Sequence, residues 1–139
     1  MNTIDEKQQA TIEEFALFDD WTGKYEYLID LGKHLPLIDP QYKTEEYRIK
    51  GCQSQVWLHS EYADGKLKFT ADSDAIITKG LIALLVGVLS GQRPDEIANT
   101  ELYFIDRIGL REHLSPTRSN GLAHMVERMK VSALAFIEE

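Results

Sequence analysis

Residues 75–89 constrain the fold most strongly, because they read as a helix that is apolar on almost every side. Such a helix has no solvent face to spare, so other elements must cover it. Its longest oily run, residues 81–89, falls far short of the ~20 residues that a membrane span needs. The segment is therefore expected at the centre of a globular core. A chain of 139 residues is long enough to build that core as one domain spanning 1–139. The formal charge of −8 argues against a nucleic-acid or anionic-membrane partner, since both surfaces are negative themselves. Residues 1–10 mix acids with a lysine and do not resemble a signal or transit peptide. A reducing, cytoplasmic setting is expected.

The elements that cover the central helix can be read from periodicity. Residues 4–18 carry Ile12, Phe15 and Ala16 at helical intervals. Asp20 offers an N-cap for a second helix, with Trp21, Tyr25, Leu28, Ile29, Gly32 and Leu35 on one stripe. Pro36 and Pro40 end that stretch. Two alternating segments then flank Asp64-Gly65, a dipeptide suited to a tight hairpin turn. The implied register sets Tyr62 against Leu67, Ser60 against Phe69 and Leu58 against Ala71 on the core face. Glu61 is expected to pair with Lys68 on the other face, where His59 should be solvated. Residues 47–49 are expected as a third, short strand. Asp74 is expected to cap the central helix. Lys79 should run its stem along the core and send its ammonium to water. Short helices are expected over residues 94–114, broken at Gly109, and Ser115-Pro116 opens a final helix. The order gives an α+β fold: a small antiparallel sheet of about three strands packed by helices.

One residue stands out for chemistry. Cys52 is the only cysteine, set in Lys50-Gly51-Cys52-Gln53-Ser54-Gln55. It has no partner in the chain for a disulfide or a thiolate metal site, and the four histidines show no ligand spacing around it. A buried small hydrophobe is the plain reading of a lone cysteine. Gly51 and the polar run Gln53 to Gln55 favour a chemical role instead. Arg48 and Lys50 are expected to lower the thiol pKa. A thiol hydrolase would need a histidine base in a recognisable arrangement, and none is evident. Sulfur relay asks for less: a thiolate takes the outer sulfur of another protein's persulfide and hands it on. Arg118 sits in the first turn of the final helix, where the dipole disfavours a cation, so either a specific anionic acceptor or plain solvent exposure would account for it. Gly121 in that helix is expected to let the Cys52 loop approach.

Gly51-Cys52-Gln53-Ser54-Gln55-Val56-Trp57, Asp72-Ser73-Asp74-Ala75 with Lys79-Gly80-Leu81-Ile82-Ala83, and Leu114-Ser115-Pro116-Thr117-Arg118-Ser119-Asn120-Gly121-Leu122 resemble the SufE-type sulfur acceptors. Trp21, Lys24-Tyr25, residues 28–32 and Leu35-Pro36 are similar to that family's opening segment, so the likeness runs in order over residues 21–122. The resemblance implies a SufE/IscU-like sandwich. It implies that Cys52 accepts persulfide sulfur from a PLP-dependent cysteine desulfurase, stimulates that enzyme, and passes sulfur to an iron–sulfur scaffold complex. Gly51, Gln53, Ser54 and Gln55 would form the docking loop, with Arg118 and Asp74 in support. The PLP would sit on the partner, with no cofactor or metal bound here. The family's likeness further implies a cysteine tucked toward an apolar cavity at rest and exposed on docking. Two alternatives remain open: an adaptor that activates a desulfurase without carrying sulfur, and a CsdE-like paralogue serving another acceptor.

Overall fold

The computed structural model describes residues 3–137; the ends of the 1–139 span, residues 1, 2, 138 and 139, lie outside the described residues. Helices α1 (Ile4–Phe15) and α2 (Trp21–Lys33) come first. Two 3-10 turns, Pro40–Tyr42 and Glu45–Tyr47, lead to strands β1 (Val56–Ala63) and β2 (Lys66–Ser73). Helices α3 (Ile76–Leu89), α4 (Pro94–Asn99), α5 (Phe104–Ile108), α6 (Leu110–His113) and α7 (Pro116–Leu134) complete an α+β architecture.

The central helix sits where its composition requires. Ten of the fourteen residues of α3 are buried, and α1, α2, β2 and α7 all pack on it. The α2–α3 crossing is closest at Gly32 and Gly80, where a β-carbon on Gly80 would lie 2.4 Å from the Leu28 carbonyl oxygen. Asp20 caps α2 by accepting from the Gly23 N–H at 2.9 Å. Gly109, at φ 89°, separates α5 from α6.

The hairpin pairs Tyr62 with Leu67, Ser60 with Phe69 and Leu58 with Ala71. Asp64 (φ 56°) and Gly65 (φ 78°) both take the left-handed conformation that a primed turn demands. Leu58, Leu67, Phe69 and Ala71 are buried, whereas Tyr62 is half exposed and stacks on Phe136. Several expectations need correction. Glu61 and Lys68 are register partners, but among the described residues they form no ion pair. His59 is not simply solvated: its ring stacks on Tyr42 at 3.9 Å, with Tyr47 edge-on. Lys79 ends in an ion pair with Asp72 at 3.3 Å, and Lys43 meets the same carboxylate at 2.6 Å.

The sheet has two strands, not three. Residues 45–47 wind into a 3-10 turn, and only Arg48 opposite Trp57 makes a bridge. Local bonds curl the limb: Tyr47 N–H donates to the Thr44 carbonyl at 3.1 Å and Arg48 N–H to the Glu45 carbonyl at 3.3 Å, while the Glu46 and Arg48 carbonyls turn to the Arg128 guanidinium. Asp74 does not cap α3 either. Ala75 holds the cap position, and the Ser73 hydroxyl accepts the Ala75 N–H at 3.3 Å.

The α2–α3 crossing yields a paired test by urea denaturation. Gly80→Ala should cost about 1–3 kcal/mol, because backbone must move to admit the methyl. Gly87→Ala, with open space around it, should be neutral or stabilising by up to about 1 kcal/mol.

Candidate functional site

The Cys52 loop leaves the fold between two backbone ties. Ile49 N–H donates to the Val56 carbonyl at 2.8 Å and closes the base. Gln55 N–H donates to the Asp74 carboxylate at 3.0 Å, while Asp74 N–H donates to the Gln55 carbonyl at 3.2 Å. Asp74 thus anchors the exit of the loop instead of a helix end. Between these ties the chain must reverse sharply, which Gly51 accomplishes at φ 89°. A β-carbon there would also fall 2.5 Å from the exposed His124 ring, which would have to turn aside.

The turn directs Cys52 inward. Its side chain is half-buried and its thiol donates to the Gly121 carbonyl of α7 at 3.6 Å. A β-carbon on Gly121 would stand 3.6 Å from the sulfur, an ordinary contact. The expected approach of loop to helix is present, but steric need alone does not dictate glycine there. Sulfur, Leu81, Met125 and Arg118 line one cavity of about 350 Å³. Ser54 reaches across to α3, accepting from the Thr78 hydroxyl at 3.4 Å. Gln53 is left exposed at the tip.

The electrostatics run opposite to the expectation of a depressed thiol pKa. Burial pushes the Cys52 thiol up, and the Arg48 charge offsets this only in part. A thiolate at this seat would also face the lone pairs of the Gly121 carbonyl, the group that now accepts its proton. Arg118 is exposed at the cavity rim. Its backbone N–H donates to the Ser115 hydroxyl, but among the described residues its guanidinium has no hydrogen bond or ion pair. A cation at a helix N-terminus with no internal acceptor is poised for an anion brought from outside. No histidine lines the cavity. Among the described residues, no group of three or more His, Cys, Asp or Glu side chains could hold a metal ion.

Two residues at this site escaped the sequence reading. His124 covers Gly51, and Arg128 donates to the Arg48 and Glu46 carbonyls, each at 3.2 Å. With Gly121 they form an i, i+3, i+7 stripe on α7, the stripe that faces the loop. The signal lies in the spacing: a helical period carried through Gly121, His124 and Arg128 marks the face that meets the loop.

The geometry can be set beside known proteins. The sequence profile of the SufE Fe-S metabolism associated domain matches residues 9–133. The chain belongs to the SufE family. SufE-like relatives include an uncharacterized protein of Rhizobium meliloti, 42% identical over 127 residues that cover 88% of this chain and 91% of the relative. The chloroplastic/mitochondrial SufE-like protein 1 of Arabidopsis thaliana is 40% identical over 92% of this chain and 35% of its own longer sequence. The solution structure of a hypothetical protein from Thermus thermophilus shares the fold, with a TM-score of 0.78, 22% identity and 97% of each chain covered. SufE membership supports a general sulfur-transfer or sulfur-acceptor role. No helix among the described residues is long and apolar enough to cross a membrane.

The buried seat predicts the pH profile of Cys52 alkylation by iodoacetamide. The midpoint should lie above that of free cysteine, and Arg48→Met should move it higher, because the one charge favouring the thiolate is lost. A midpoint below that of free cysteine would mean that the resting loop stabilises the thiolate.

Proposed function

We propose that the chain, working as a single domain over residues 1–139, is a persulfide carrier. Cys52 takes sulfane sulfur from a PLP-dependent cysteine desulfurase, stimulates that enzyme, and delivers the sulfur to an iron–sulfur scaffold complex in the cytoplasm. The supporting observation is the placement of the only cysteine. It rides on a short glycine-flanked loop, beside a cavity whose rim carries the Arg118 guanidinium, which has no partner among the described residues.

The chemistry is an exchange at sulfur. The Cys52 thiolate attacks the outer sulfur of the donor's persulfide, and the donor's S–S bond breaks as the new one forms. The donor leaves as a thiolate, the carried sulfur keeps its oxidation level, and Cys52 becomes Cys52–S–SH, which ionises readily. Delivery repeats the step with an acceptor thiol attacking the outer sulfur. No general base is required in this chain if docking moves the sulfur off its seat, since the thiolate then gains solvent and loses the opposing carbonyl. Gly51, Gln53, Ser54 and Gln55 present the loop to the donor. Asp74 holds the loop's exit while the tip moves, and Arg118 supplies positive charge for the anionic persulfide. PLP chemistry belongs to the donor.

An activator that carries no sulfur would also be a small protein docking on a desulfurase, and one experiment separates the two readings. After incubation with a cysteine desulfurase and cysteine, intact mass should show one added sulfur on the wild-type chain and none on Cys52→Ser. Stimulation should fall to the level of the desulfurase alone in that variant. An adduct or full stimulation surviving in Cys52→Ser would remove the thiol from the mechanism.

A further inference from the structure

The loop that carries Cys52 is thinly backed. Behind its sulfur lies the cavity of about 350 Å³, and on its other side a second groove of about 390 Å³ is lined by Lys50 and Gly51 and by His124, Arg128 and Val131 of α7. Between these hollows the loop touches α7 along a narrow ridge, with Cys52 on Gly121 and Gly51 under His124. Dispersion across such a ridge is weak, because atoms facing a void have no partners on that side. Ile49 seats the base of the loop in the core, and polar ties add to the hold on α7.

Across the seam between α7 and residues 45–55, three polar ties are visible: the long thiol contact to Gly121 and the two bonds from Arg128. The thiol contact is a weak one. Arg128 is different in kind. Its part-buried guanidinium donates through both terminal nitrogens to the carbonyls of Glu46 and Arg48, two residues apart on the limb that enters the loop. Bonds from a charged donor are about twice as strong as neutral ones, and the planar fork fixes both acceptors at once. The same bonds tie to α7 the side of the limb that faces away from β1, while Ile49 N–H reaches the Val56 carbonyl of β1.

We propose that Arg128 is a latch: by holding the Glu46 and Arg48 carbonyls against α7 it keeps the entering limb seated, and so sets how often the Cys52 tip leaves Gly121. Arg128 is a positioning residue; it touches neither the sulfur nor a donor. The latch rests on Cys52 being the working thiol, but its effect is readable in the isolated chain, with no desulfurase present. Loss of both bonds lets residues 46–48 swing outward from α7, and loss of one loosens them in part. The pivot is the Ile49–Val56 tie, which lies between the latch and the tip. Opening at the limb then removes the lateral support of Gly51 under His124.

The test is the rate of Cys52 alkylation in the full chain at fixed pH, together with amide hydrogen exchange. Arg128→Met keeps the apolar stem and removes both donors. It should raise the alkylation rate about tenfold, equivalent to about 1.4 kcal/mol of lost closure. Arg128→Lys can serve one carbonyl but not both and should fall between the two. Faster exchange should be confined to residues 46–55. Unchanged alkylation in Arg128→Met overturns the latch, as does faster exchange spread evenly over β1 and α7, which would make Arg128 a general stability element. If the latch fails while Cys52 still acquires sulfur from a desulfurase, the carrier reading stands without it. If alkylation rises as expected but no sulfur is acquired, the latch stands and the carrier reading falls.

Discussion

A helix with no polar face dictates the arrangement of everything else. α3 must be enclosed, and α1, α2, β2 and α7 enclose it, with α2 brought in tightly over Gly80. Enclosing it places the start of β1 and the start of α7 side by side. The seam between them is where Cys52, Gly121 and Arg118 meet, although they lie far apart in sequence. The functional loop is therefore a product of how the core closes. Among the described residues, its hydrogen bonds toward α3 are the Ser54–Thr78 hydroxyl contact and the paired tie between Gln55 and Asp74 just before that helix.

Much of the framework was legible because local chemistry and burial agree there. The hairpin register follows from alternation plus Asp64-Gly65, and the α2 cap follows from Asp20. Where the reading failed, a distant group had intervened. Residues 47–49 look like a strand locally, but the limb curls into a 3-10 turn and gives its outward carbonyls to Arg128 of α7. Asp74 looks like a helix cap, yet a loop that must be closed nineteen residues earlier takes its carboxylate. His59 reads as a solvated strand position until Tyr42 and Tyr47 fold over it. In each case the sequence offers a sound local solution that a tertiary partner overrides.

The candidate site shows the same division. Gly51-Cys52 and Arg118 could be singled out from residue type and position alone. The direction of the thiol's pKa shift could not, because Arg48 and Lys50 are near in sequence while the burial that outweighs Arg48 comes from α3 and α7. That inversion bears on function. A seat that favours the protonated thiol lowers the thiolate fraction of the resting chain, and a thiolate would have reason to leave a carbonyl that repels it. Under the proposed carrier function, protection at rest and activation on docking would come from one geometric change rather than from a separate base.

The position of the Cys52 sulfur in a complex with a cysteine desulfurase is the direct measure of this account. A structure of that complex should find Sγ withdrawn from the Gly121 carbonyl, well beyond the 3.6 Å of the resting chain, and turned toward the donor's persulfide cysteine. A bound complex with Sγ still seated on Gly121 would contradict it.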